Sequence, residues 1–223
     1  MGPLNERIDM KMKCTILAAT GIATILLTGC LVTSVNPLYT EKDLVFDPTL
    51  VGAWTEGEGK GTWVFEKTGE KKYKLLHTDD EGRTGEFDAH LLKLGKNQFL
   101  DLYLLDPGEK EEWKINQLAA VALIMRPGHL FLKVSQIGPM LQVGALSEDW
   151  LNKLLEKDPK AIRHEKIRFG PEDKDNSRNV LTATTGELQK FILKHAESPD
   201  AFGEKPKELK RTEKPAAQKP DKK

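Results

Sequence analysis

Cysteine is almost missing: the 223 residues hold two, Cys14 and Cys30, and both precede the bulk of the chain. Everything after Cys30 is therefore without thiols, so no disulfide, thiol nucleophile or cysteine-bound metal can form there, and stability has to come from packing. An excess of either charge is missing too, with 34 basic against 34 acidic residues. Setting aside residues 1–29 (three basic, two acidic) and 204–223 (eight and four) leaves 23 basic and 28 acidic. That mildly acidic middle offers no electrostatic footprint for nucleic acid. No His-Glu-x-x-His, Gly-x-Ser-x-Gly, phosphate loop or Gly-x-Gly-x-x-Gly is present, and each is a pattern that places ligands or nucleophiles at a workable spacing. The glycines of Gly57 to Gly61 join two strand-like stretches and read as a hairpin loop.

The five histidines, His77, His90, His129, His164 and His195, include no i, i+4 pair. His77 and His90 could meet across a hairpin and, with Asp79 or Asp88, hold a cation. A metal needs three or four converging ligands, however, and a paired strand surface explains the two imidazoles without one. Carboxylates such as Asp79, Asp80, Asp88 and Asp101 are plentiful, but acid and base work needs two groups with environments that separate their pKa values. The expectation is no catalytic residue, no metal site and no cofactor.

What is present begins with CTILAATGIATILLTGC, Cys14 to Cys30, just after Lys11 and Lys13. A short basic segment, an apolar stretch and small residues at a break have the layout of a secretory signal. Leu27-Thr28-Gly29-Cys30 resembles the lipobox of bacterial lipoproteins. The resemblance implies a lipid on the Cys30 sulfur, cleavage before it, and Cys30 as the first mature residue. It also implies diacylglycerol plus an N-acyl chain, and stable anchoring does need more than one chain. Leu31 follows where an Asp is associated with retention at the inner membrane, so the resemblance points to an outer-membrane anchor facing the periplasm. The alternative is a retained span, because Cys14 to Val35 is 22 residues without a charge, enough for a bilayer core of about 30 Å. Gly29, Asn36 and Pro37 favour the cleaved signal.

After a signal at 1–29, residues 30–48 read as a tether that begins to dock through Leu38, Tyr39, Leu44, Val45 and Phe46. A β domain is expected over 49–203. Leu50 to Thr55, Gly61 to Lys67, Glu70 to Thr78, Arg83 to Leu94 and Asn97 to Leu105 are β-rich or alternating stretches separated by turn residues. The turns at Asp79–Gly82 and Gly95–Asn97 make neighbours antiparallel. Ile115 to Met125, His129 to Gln136 and Met140 to Leu146 continue the series. Ser147 caps a helix with Glu148 and Asp149 in its first turn. Ala161 to Phe169 and Val180 to Ala183 are strand candidates. Thr184 and Glu187 have capping-box spacing for a helix to Ala196. From Glu204 the chain is rich in Lys and Pro, with almost nothing to bury, and 204–223 is expected to be disordered.

Eight to ten short strands on meander-like connections predict a mainly β fold, an antiparallel barrel or strongly curved sheet with one inserted and one C-terminal helix. Gly52-Ala53-Trp54 at the start of the first strand is similar to the Gly-x-Trp signature of lipocalins and related calycins. That resemblance implies a structural role for Gly52 and Trp54 at one barrel end, and a late-strand basic residue over the Trp, with Arg163 or Arg168 as candidates. The functional expectation is a non-enzymatic, lipid-anchored envelope protein binding an apolar ligand or a protein partner, with the membrane reached through Cys30. Alternatives are a structural or assembly lipoprotein working through protein contacts and, third, an envelope hydrolase.

Overall fold

The computed structural model describes residues 31–57, 61–105, 128–168, 177–203 and 206–212. Within these, β2 (Gly52–Glu56), β3 (Thr62–Lys67), β4 (Tyr73–Thr78), β5 (Thr84–Leu94), β6 (Asn97–Leu104), β7 (His129–Gln136) and β8 (Met140–Ala145) run as an antiparallel meander. β11 (Lys207–Thr212) pairs with β8 on one side and β2 on the other, closing an eight-stranded barrel. The architecture is the expected mainly β class with two helices, and is consistent with a lipocalin-like barrel. The proposed strand within Ile115 to Met125 lies outside the described residues.

Alternation decides which side chains fill the barrel. Tyr73, Leu75 and His77 of β4 are buried while their neighbours are half-exposed. Register carries the same face around the wall: Leu75 opposes Phe87, Leu91 opposes Leu100, Leu100 opposes Leu132, and Leu141 opposes Leu209. β5 and β6 break the alternation where Leu91 and Leu92, and Phe99 and Leu100, are buried in succession. A second core explains this. Leu92, Leu94, Phe99 and Phe131 on the outer wall pack with helices α1 (Glu148–Lys157) and α2 (Thr185–His195) through Leu151, Leu155, Leu188 and Ile192. Both helices begin as expected: the Ser147 hydroxyl accepts from the Trp150 N–H at 3.2 Å, and Thr184 with Glu187 forms a capping box.

A short side sheet extends the wall. β1 (Thr33–Ser34) lies antiparallel to the start of β7, and parallel to β10 (Ser177–Leu181), which pairs with β9 (His164–Arg168). Residues 31–48 run as a strap docked on the domain: Leu31 bridges Ser147 and is buried, as are Leu38 and Leu44, two of the residues expected to dock. Satisfying the N–H and C=O groups of β1 through the sheet is what holds it there.

The tail departs from expectation. Lys207–Thr212, read as disordered, is a barrel strand, because its outward side is polar and its one apolar side chain, Leu209, is wholly buried inside. The basic residue over Trp54 is Arg211, not Arg163 or Arg168. Its guanidinium carbon lies 4.5 Å from the indole centroid, and its nitrogens donate to the Val51 and Thr49 carbonyls. Arg163 instead pairs with Glu187 at 2.5 Å, and Arg168 opposes Ser177 in the side sheet. Gly52 has φ +131°, which strains any side chain, and a Cβ there would sit 2.7 Å from Arg211 Nη1 and push the guanidinium aside.

Candidate functional site

The two barrel ends differ. At one, residues 44–51 strap across the bottom: Trp54 Nε1 donates to the Leu50 carbonyl at 2.9 Å, the Asp47 N–H donates to Tyr73 Oη at 2.7 Å, and Phe46 stacks on Tyr73 with centroids 5.0 Å apart. Gly52 and Trp54 both lie here, Trp54 with no exposed surface.

At the other end, two residues farther along β2 on the same inward face, stands Glu56. Its carboxylate accepts from Lys207 Nζ at 2.6 Å and from Trp63 Nε1 at 3.2 Å. Trp63 meets His77 edge-on, with centroids 4.9 Å apart. His77 opposes Gly85, which leaves room beside it on the inner face. The Gly61 N–H donates to Asp80 at 2.7 Å, linking the β2–β3 connection to the β4–β5 turn beside this mouth. Lys207 and Glu56 keep 27% and 29% of their side-chain surface, so the pair is only partly desolvated. An inward-facing cation and anion next to an indole and an imidazole can meet a polar head group or a peptide side chain.

Below the mouth the inward side chains of the described strands are tightly packed. Leu75, Phe87, Ala89, Leu91, Leu100, Leu102, Leu141 and Leu209 have no exposed surface at all. A void able to hold even one water would leave exposed area on its lining, so none opens onto these side chains.

A second polar cluster lies on the outer wall beneath the strap. Asp101, wholly buried, accepts the Leu38 N–H at 2.7 Å and sits 2.6 Å from His129 Nδ1. His90, directly across from Asp101, stacks on Tyr39 at 4.5 Å. Its Nδ1 is buried without a hydrogen-bond partner, and burial holds the imidazole below its ordinary pKa. Burial, reinforced by Asp101, pushes the Tyr39 phenol up to about 12. An acid and an imidazole in contact are two parts of a nucleophilic triad. The hydroxyl in register with His129, that of Ser34, donates instead to the Asn36 carbonyl at 2.9 Å. The cluster as it stands fastens the strap.

His77 and His90 do not meet. They are an odd number of residues from facing alike: His77 points into the barrel with Leu75, whereas His90 points outward beside Asp101. The suggested cation site with Asp79 or Asp88 is therefore not assembled, and among the described residues no three His, Cys, Asp or Glu side chains converge on a point that could hold a metal ion.

Comparison with protein-family models, curated proteins and solved structures gave no match. Function has to be read from the sequence and the geometry. Cys30 lies outside the described residues, and no helix among the described residues is long and apolar enough to cross a membrane. The sequence pointed to neither Glu56–Lys207 nor Asp101–His129. A signal for the first existed: Glu56 follows Trp54 by two in a strand, which turns a carboxylate inward. For Lys207 and Asp101 none did, since one sat in an apparently featureless tail and the other among many acids.

Proposed function

We propose that this chain is an exported, lipid-anchored envelope protein whose barrel is a rigid binding module working through its mouth and outer surface on a protein partner. The lipobox-like Leu27–Cys30 supports the anchor and the envelope address, and Leu31 in place of Asp supports the outer membrane. What supports a protein partner over carriage is that Leu75, Phe87, Leu91, Leu100, Leu141 and Leu209, among the described inward side chains, have no exposed surface, whereas carrying an apolar molecule needs a cavity of several hundred Å3. A rigid, packed barrel instead resembles the scaffolds that present loops and edges to partners.

One observation favours a second reading at the same place. Glu56, Lys207, Trp63 and His77 form a polar and aromatic rim that suits a small ligand with a charged head group. In-cell crosslinking from a photoreactive residue at position 81 or 208 separates the two. A recurrent protein adduct supports the partner reading. Recovery of the chain without adducts, together with a co-purifying small molecule in native mass spectrometry, refutes it in favour of the ligand.

A further inference from the structure

We infer that the outer edge of β9 is a docking strand for an extended segment of a partner protein that carries carboxylates at alternate positions. The inference rests on the protein-partner reading and adds to it the place and the chemistry of the contact. β9 ends the sheet: among the described residues only β10 lies beside it, and Glu165, Lys166, Ile167 and Arg168 are all exposed. The Thr182 N–H donates to the Arg163 carbonyl at 3.0 Å. In an antiparallel pair alternate residues turn their backbone groups to the neighbouring strand, so this bond sets the phase of the ladder. Glu165 and Ile167, in phase with Arg163, face Val180 and Arg178 of β10. His164, Lys166 and Arg168 hold their N–H and C=O groups toward the open side, a template for one more strand.

Side chains decide which strand is accepted. Because successive side chains alternate, the same three residues share one face of β9, with the cations of Lys166 and Arg168 and the imidazole of His164 in a row. Glu165 and Ile167 project to the other face, where Arg178 lies beside Ile167. The row is basic within a middle stretch that is acidic overall. An incoming antiparallel strand sets its own side chains directly opposite, where unlike charges attract and like charges repel. The complementary segment is acidic opposite Arg168, Lys166 and His164, apolar opposite Ile167 and neutral opposite Glu165, which reads Glu-Val-Glu-Thr-Glu from its N-terminus. A second copy of this chain does not fit. A two-fold axis between two β9 strands sets Lys166 against Lys166, Lys166 against Arg168, or Glu165 against Glu165, each a like-charge pair. The edge stops at Arg168, and residues 169–176, outside the described residues, form no part of it.

The test uses the full-length chain in detergent at low ionic strength, with the capped peptide Glu-Val-Glu-Thr-Glu as probe and Lys-Val-Lys-Thr-Lys as the charge-reversed control. Amide NMR reads affinity and place together. The expected result is saturable binding of the acidic peptide, with the basic one weaker by about tenfold or more. Hydrogen exchange should slow at the amides of His164, Lys166 and Arg168 and stay unchanged at Glu165 and Ile167, which β10 already holds. Lys166→Pro removes the central outward N–H without touching the β9–β10 ladder, and is expected to abolish binding. Lys166→Glu combined with Arg168→Glu leaves the backbone as it is and should turn the preference toward the basic peptide. No binding of the acidic peptide at millimolar concentration, protection elsewhere on the chain, or a preference unmoved by the charge exchange overturns the edge. In cells, a photoreactive residue at position 165 is compared with those at 81 and 208. Protein adducts from 81 or 208 with none from 165 overturn the edge and leave the partner reading standing, and no adduct from any of the three overturns both.

Discussion

Leu209→Ala puts the barrel closure to a quantitative test. Leu209 is the only apolar residue of β11, has no exposed surface, and lies between Leu141 of β8 and Glu56 of β2. Removing a fully buried Leu side chain from a core that cannot collapse around the gap costs about 2–5 kcal/mol. With a urea slope of about 2 kcal/mol/M, a loss of about 3 kcal/mol lowers the unfolding midpoint by about 1.5 M. Arg211→Ala removes the cation over Trp54 and two hydrogen bonds to carbonyls, and its expected cost is about 1–2 kcal/mol. Lys210→Ala, exposed on the same strand, serves as the control and should stay within about 0.5 kcal/mol of the parent. Truncation after Gly203 leaves the β2 and β8 edges unpaired and is expected to give aggregated or unfolded protein. The assay is equilibrium urea unfolding of the Cys30→Ser chain, followed by tryptophan fluorescence. If Leu209→Ala unfolds at the same urea concentration as Lys210→Ala, then 207–212 is not a wall strand in solution and the reasoning fails.

Two further outcomes follow from the strap and from α2. Asp101→Ala leaves the Leu38 N–H and the His129 ring without their buried partner, and each buried polar group left unsatisfied costs about 1–3 kcal/mol. Limited proteolysis should then cut within residues 36–44 of the folded variant, and a strap as resistant as in the parent would contradict its fastening by Asp101. Glu187 accepts from the Thr184 hydroxyl and N–H and pairs with Arg163, which brings its carboxyl from 4.5 down to about 2. A depressed folded pKa means that its contribution to the α2 N-terminus is complete above pH 4.5 and is lost as pH falls toward about 2. Carboxyl-carbon NMR of Glu187 should show that low midpoint, and titration near 4.5 would dismiss the capping role.

Much of the wall was legible beforehand. Strand ends within a few residues, the turns at Asp79–Gly82 and Gly95–Asn97, and both helix caps follow from short-range physics. A period of two, a residue tolerant of turn geometry and a hydroxyl before an acidic first turn each act over fewer than six residues. His129 to Gln136 was read to the residue. The misreadings share a cause of the opposite kind. A strand with inward side chains Lys207, Leu209 and Arg211 looks like solvated tail unless Glu56 and Trp54 are already beside it, and Lys207 reaches Glu56 across 151 residues of sequence.

From its letters alone this chain is committed to a mainly β domain without cysteine after residue 30, because composition and local period do not depend on what packs against what. Only the folded molecule decided that Lys207–Thr212 closes the barrel, that Arg211 covers Trp54, and that Asp101 fastens the strap. Those outcomes depend on burial and pairing between distant segments, whose free energy exists only once both partners have been brought out of water to the same place.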